Sequence, residues 1–250
     1  MKNNSSVALI PARSGSKRIS NKNIRNFSGH PLIAYTITSA INSKIFSDVI
    51  ISTDSELYSD IGTYYGGSVY SMRPSEISGD FSPDIEWVKY VLTEQKRLNK
   101  TFKYFSILRP TSPFRSSKII SKAMDLFKKN KEADSIRAVE LCAQHPAKMW
   151  TYKNKFIQPI LEGSNGGTPW HSSQYASLPK IYVQNASLEI AKTSVVFDDN
   201  SISGKNIIPF FSKDYEGLDI NNEQDWIYAE FLLDKNKVKL PSIEKKPYRV

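Results

Sequence analysis

Four short apolar or β-branched runs, at residues 7–12, 48–53, 68–73 and 104–108, alternate with stretches of helical pattern. Strands alternating with helices predict a largely parallel sheet covered on both faces. Pro31 can open a helix to residue 40 and Pro83 another to residue 97. Ser116 or Ser117 can cap a third to residue 129. After residue 133 the rhythm changes. Residues 135–141 suit one more strand, and residues 149–160 a hairpin turning near 153–155. The Gly/Ser/Pro-rich stretch EGSNGGTPWHSSQYASLP is too irregular for a helix. KIYVQNASLEIAKTSVV regains strand character, and residues 224–233 suggest a closing helix. At 250 residues the chain buries a full core, and α/β chains of this length often form one domain with an insertion. We therefore expect a single domain over 1–250, α/β in class, with a β-rich insertion at about 141–200 that covers an acceptor or forms a subunit contact.

Composition removes several function classes. Hydrophobic residues make up 40% and charged residues 24%, which is ordinary for a globular chain, and no window approaches the ~18 apolar residues of a spanning helix. MKNNSS leads straight into an apolar run without the basic region and cleavage site of a signal peptide, so a cytoplasmic chain without membrane contact is expected. A single cysteine, Cys142, excludes an internal disulfide and reads as a small buried apolar residue. His30, His145 and His171 stand too far apart to suggest a metal pair. The formal charge is +9, but residues 235–250 hold six Lys/Arg against one acid. Much of the excess thus lies in one terminal segment, read as a solvated or loosely ordered tail rather than a nucleic-acid contact.

PARSGSKRISNKN, residues 11–23, follows the first strand, where parallel α/β sheets gather their ligands. Gly15 between Ser14 and Ser16 lets backbone amides approach phosphate oxygens, and Arg13, Lys17, Arg18 and Lys22 concentrate positive charge. The loop is neither G-x-G-x-x-G nor G-x-x-x-x-G-K-[ST], which argues against a dinucleotide fold or a P-loop NTPase. On its residues alone it suits a triphosphate, with a solvated surface turn as the alternative.

IPARSGSKRISNKN followed by SGHPLIAYTI resembles the signature of the acylneuraminate cytidylyltransferases, which make CMP-linked nonulosonic acids. Further matches keep the family's order: VIISTD (49–54), MRPSEISGD (72–80), ILRPTSPFR (107–115), HPAKMW (145–150), LPKIYVQNASLEI (178–190) and GLDINNEQDW (217–226). The resemblance implies a three-layer, nucleotide-diphosphosugar-transferase-like (Rossmann-like) fold with a mostly parallel sheet. It also implies CTP and an acidic sugar as substrates, magnesium as cofactor and a homodimer. Arg13, Ser16, Lys17, Lys22, Asn23 and Arg73 are implied to bind the nucleotide, with Arg13, Lys17 and Asp219 catalytic. Asp219 and Asn221 are implied metal ligands, although the family often has a second acid where this chain has Asn221, and an amide carries no charge for a hard cation.

On the acceptor side the resemblance points to Arg109, Thr111, Ser112, Lys148, Gln184 and Asn185. Sialic-acid enzymes more often carry glutamine at the position of Arg109, and arginines where Tyr175 and Val183 align. The acceptor site is thus rebuilt, making legionaminate or pseudaminate as credible as N-acetylneuraminate. Without the resemblance, Arg73 would read as a surface ion pair, Asp219 as a capping carboxylate, Gln184 as an outward strand residue, Arg115 as a partner for a helix end or surface acid, Asp225 as solvated and Trp150 as core. The implied reaction is attack of the sugar's anomeric hydroxyl on the α-phosphorus of CTP, helped by magnesium. Activation of the eight-carbon acid Kdo or another sugar, and a nucleotide-binding scaffold that has lost transferase activity, are the competing readings.

Overall fold

A computed structural model describes residues 5–249. Its elements are β1 (Ser6–Pro11), β2 (Asn26–Phe27), β3 (His30–Pro31), α1 (Leu32–Asn42), β4 (Asp48–Ser52), α2 (Glu56–Tyr64), α3 (Asp84–Arg97), β5 (Tyr104–Ile107), α4 (Ser117–Lys129), β6 (Ser135–Leu141), β7 (Trp150–Lys153), β8 (Phe156–Pro159), β9 (Ser164–Asn165), β10 (Thr168–Pro169), β11 (Tyr182–Lys192), α5 (Ser194–Asp198), β12 (Ile207–Phe211) and α6 (Glu223–Asp234). The central sheet runs β12-β6-β11-β5-β1-β4. β1 lies parallel to both β4 and β5, while β11 is antiparallel to β5.

The period of two along β1 builds the layers. Ala8 and Ile10 join a cluster with Ile33 and Ile37 of α1, Ile61 of α2, and Ile120 and Met124 of α4. Val7 and Leu9 join a separate cluster with Trp87, Val88 and Val91 of α3 and Val195 of α5. Val7, Ala8, Leu9 and Ile10 are all fully buried, as a strand covered on both faces requires. Prolines 31 and 83 immediately precede α1 and α3, and the Ser116 hydroxyl accepts from the Ile119 amide at the start of α4.

The expected strand at 68–73 does not form. A single parallel bridge joins Ile50 to Ser68, after which the chain leaves the sheet and the Arg73 amide bonds the Thr53 carbonyl. The basic C-terminal segment is also not a solvated tail. Val238, Leu240, Ile243 and Tyr248 pack on buried clusters, and the Tyr248 amide donates to the Tyr65 hydroxyl. Its apolar residues anchor it while its lysines stay outside.

Two compact units result: residues up to Ala138 with those from Asn185 onward, and Val139–Gln184. In the second, β7 and β8 form an antiparallel hairpin whose turn residues Asn154 and Lys155 have φ of 52° and 71°, the left-handed pair that a two-residue hairpin turn needs. Cys142 is buried, with its thiol directed at the Gln144 carbonyl. Trp150 is not core: it is 40% exposed and tilts against His171, on a hairpin whose residues are exposed apart from half-buried Pro159.

Candidate functional site

The basic loop after β1 is fixed at several points. The Ala12 amide continues the ladder to the Ser52 carbonyl at 2.9 Å. Asp54, just past β4, accepts the Ser14 amide at 2.7 Å and its hydroxyl at 3.2 Å. Asn23 donates to the Arg13 carbonyl, and Tyr58 to the Asn21 side chain. Ile19 is buried in a cluster with Phe27, Trp226 and Ile220. Between these points Arg13, Ser16, Lys17, Arg18, Lys22 and Asn23 line a cleft of about 290 Å³, with Arg73, Asp80, Asp84, Arg109 and Thr111 on its other walls. A Cβ at Gly15 would meet no protein atom within 4 Å, so packing does not impose that glycine.

The cleft is cationic, with Asp80 and Asp84 offsetting part of the charge. Asp80 pairs with Arg13 at 2.5 Å and with Lys17, and these hydrogen bonds, that of Lys17 first, hold its carboxyl below the usual range. Arg73 is buried; it donates to the Ser52 hydroxyl and carbonyl and lies 5.0 Å over the Trp87 ring. Burial draws its pKa down to about 10, against the pull of Asp54 and Asp84, so it remains charged at neutral pH. It is not the surface ion pair that residue type alone suggests.

Arg109 donates through Nη2 to Asp84 at 2.6 Å and Glu189 at 3.0 Å, and Arg137 meets the other oxygen of Glu189 at 3.0 Å. Burial opposes the Arg109 charge most strongly of any single effect, but Asp84 and Glu189 together keep its pKa above the ordinary value. Arg115 meets no surface acid among the described residues. It is 1% exposed and donates to the Ser187 carbonyl, the Thr36 hydroxyl and the Arg109 carbonyl. Burial lowers its pKa to about 9, with Asp219 acting in the opposite direction. The donors of its guanidinium tie α1, β11 and the strand-end loop behind the cleft.

The 219–221 segment reaches the loop because Ile220 is buried beside Ile19, its amide bonds the Thr111 carbonyl, and its own carbonyl accepts from Lys22 at 2.9 Å. Burial lowers the Lys22 pKa, and Asp219 opposes that shift. Asp219 accepts the Asn221 amide at 2.7 Å through Oδ2, while Oδ1 is buried without a hydrogen-bond partner among the described residues. A buried, orphaned carboxylate oxygen is unfavourable unless something meets it, and that fits a hard cation. No cluster of three His, Cys, Asp or Glu suited to a metal occurs among the described residues. A site completed by substrate oxygens is how magnesium is usually held. Asp225 is not solvated: its carboxylate takes the Asn221 and Asn222 amides and completes a capping box at the start of α6.

The structure distributes the acceptor candidates. Arg109 and Thr111 line the cleft. Ser112 is 1% exposed and its hydroxyl has no partner among the described residues. Asn185 is buried, donating to the Ser212 hydroxyl and accepting from Ser187. Gln184 lies exposed on β11 in the second unit. Lys148, also in the second unit, donates to the His171 and Ser173 carbonyls. Sequence reasoning did not single out Asp54, Asp80, Asp84 or Glu189. Asp54 carried a usable signal, as a carboxylate at the carboxyl end of a parallel strand.

Known proteins resemble the chain in sequence and in fold. A family described as cytidylyltransferase matches residues 7–202. "Post-translational flagellin modification protein B" of Campylobacter coli is 34% identical over 236 residues, covering 92% of this chain and 96% of the relative. The "CMP-N,N'-diacetyllegionaminic acid synthase" of Legionella pneumophila is 30% identical over 237 residues, covering 92% and 97%. Among solved structures, a CMP:2-keto-3-deoxy-manno-octonic acid synthetase complexed with CTP superposes with a TM-score of 0.68 over 93% of this chain and 99% of that one. At 13% identity it shows a shared fold.

Proposed function

The chain belongs to the cytidylyltransferase family, and on that premise we propose that it joins CMP, taken from CTP, to the anomeric hydroxyl of a nine-carbon acidic sugar, a nonulosonic acid, releasing pyrophosphate. One observation carries this reading: Arg13, Lys17, Arg18, Lys22 and Arg73 converge on one cleft, four of them from the loop that follows the first strand. Fixed cations at the place where phosphate charge develops stabilise a phosphoryl-transfer transition state without reorganisation.

In this reading Arg13, Lys17 and Lys22 hold the triphosphate, Ser16 and Asn23 orient it, and Arg73 contributes a desolvated cation on the nucleotide side. The anomeric oxygen forms a bond to the α-phosphorus as the bond to the bridging oxygen breaks. The hydroxyl proton is released to solvent, and Lys17 and Arg13 neutralise the departing pyrophosphate. Asp219 and Asn221 would hold magnesium; bound there, it would neutralise phosphate charge and acidify the attacking hydroxyl. The orphaned Asp219 oxygen supports that role.

The acceptor carboxylate is assigned to the guanidinium N–H groups of Arg109 that its bonds to Asp84 and Glu189 leave over, with Thr111 beside it. Ser112, Asn185, Gln184 and Lys148 remain acceptor candidates. The 30% identity to a legionaminic acid synthase favours legionaminate as the first acid to test. The second unit, Val139–Gln184, is assigned to acceptor cover or to contact with a second copy in a homodimer. Its exposed Tyr152, Phe156, Ile157 and Ile160 support the latter. No helix among the described residues is long and apolar enough to cross a membrane, and we place the enzyme in the cytoplasm, where CTP is available.

The test is pyrophosphate release from CTP, UTP or ATP with legionaminate, pseudaminate, N-acetylneuraminate, Kdo and a sugar lacking the carboxylate, with products identified by mass. CTP with a nine-carbon acid should dominate. Equal rates with and without the carboxylate would sink the acidic-acceptor reading, and turnover with Kdo alone would move the assignment to an eight-carbon acid.

A further inference from the structure

The phosphate-binding cations already hold an anion that belongs to the protein. Asp80 reaches Arg13 through Oδ1 and Lys17 through Oδ2, and Arg13 is further held by the Ser78 carbonyl at 3.2 Å. Both pairs span more than 60 residues of sequence, so the 78–80 segment closes onto the basic loop across the cleft that both line.

These contacts use the same N–H donors that a phosphate oxygen would take, and a carboxylate and a phosphate cannot both sit on them at full strength. We propose that Asp80 is an exchangeable internal anion: it occupies Arg13 and Lys17 when no phosphate is there, yields them to CTP, and returns to them as pyrophosphate departs. The proposal rests on the cytidylyltransferase reading and adds to it a residue that sets how tightly the site holds phosphate.

Three features make exchange the natural behaviour of this pair rather than a fixed lock. The Lys17 side chain is 79% exposed, so an incoming ligand reaches it without unpacking the protein. Exposed ion pairs are weak and give way to a more highly charged competitor. The next residue, Phe81, is 99% exposed, so no side-chain packing there pins the segment in the closed position. By contrast, Asp54 bonds both the backbone and the side chain of Ser14 and is built to stay in place. Without Asp80 the four loop cations would bind phosphate more tightly and release pyrophosphate more slowly; Asp80 moderates that affinity.

The experiment measures binding of inorganic pyrophosphate and of CTP by calorimetry, at fixed magnesium, to the full chain and its Asp80→Asn and Asp80→Ala variants. Thermal melting confirms folding, and the inhibition constant of pyrophosphate in turnover is measured alongside. Removing the competitor should tighten pyrophosphate binding by roughly fivefold and strengthen product inhibition by a similar factor. In a Lys17→Ala background the gain from Asp80→Asn should shrink by at least half, because the contested cation is gone. Unchanged or weaker pyrophosphate binding in both Asp80 variants overturns the proposal. Weaker binding together with a raised magnesium requirement would make Asp80 a metal ligand instead and equally overturn it. The two readings fail separately: normal turnover with binding indifferent to Asp80 sinks only the exchange. Phosphate binding that responds to Asp80, without CTP turnover, sinks only the transferase.

Discussion

Lys17 carries its charge on a side chain that is 79% exposed, so truncating it removes a cation without opening a cavity. Lys17→Ala should lower kcat/KM by about 100-fold, the usual effect of losing one charge-assisted contact to a developing anion, with an unchanged melting temperature. Near-wild-type turnover would remove Lys17 from the phosphate-stabilising role. Asp219 and Asn221 separate charge from geometry. Asp219→Ala should abolish most turnover, whereas Asn221→Asp should be tolerated and lower the magnesium concentration for half-maximal rate, since a second carboxylate attracts a hard dication more strongly than an amide. Retained metal dependence in Asp219→Ala would rule that site out.

Arg109 affects stability as well as the cleft. Arg109→Gln leaves Asp84 and the nearly buried Glu189 without a shared cation, and should destabilise by ~2 kcal/mol at neutral pH. The pH dependence has a definite sign. Burial alone would raise the Asp84 pKa, but Arg109 and its other partners outweigh it and hold the carboxyl below 3.8. Its stabilisation is therefore present above the unfolded value near pH 4 and is lost as pH falls through the lowered folded value. In the variant burial is less opposed. The gap in unfolding free energy should thus be widest near pH 7 and narrow below about pH 4, as denaturant melts would show. At this scale the sequence exposed the cations, because they cluster within ten residues. It hid Asp80 and Glu189, whose partners lie 67 and 80 residues away, a distance only the fold closes.

Elements were legible where a local rule controls them. The prolines before α1 and α3, the serine cap of α4 and the αL turn between β7 and β8 are each set by a few residues. The run at 68–73 had strand character, but pairing is decided by neighbours outside the run, and only Ser68 found one. Charge is a poor guide to the C-terminal segment; its spaced apolar residues, not its lysines, decide its place. Helix α6 shows how an element serves the site. Asn222 caps it reciprocally with Asp225, directly after Asp219 and Asn221. Asn222→Ala should therefore lower stability by ~1 kcal/mol and raise the magnesium concentration needed for half-maximal rate. A stability loss with unaltered magnesium dependence would show that the cap and the metal segment are mechanically independent.

For the whole molecule, each residue lining the cleft falls in the first unit, while the second unit carries a hairpin with Tyr152 75%, Phe156 73% and Ile157 58% exposed. Large aromatic and aliphatic side chains left uncovered on a two-stranded ribbon are unfavourable in water, and a ribbon of two strands is marginal without another layer. A second copy of the chain supplies such a layer at once, because a two-fold axis lets the same patch cover itself. The prediction is that the protein is a dimer at low micromolar concentration by light scattering, and that Phe156→Glu converts it to a monomer by burying an unpaired carboxylate at that contact. CTP binding should survive in the monomer, since the cations assigned above to the triphosphate belong to the other unit, and calorimetry would show a dissociation constant within about twofold of wild type. A wild-type monomer, or a Phe156→Glu dimer, would dissociate this hairpin from assembly and leave acceptor cover as its function.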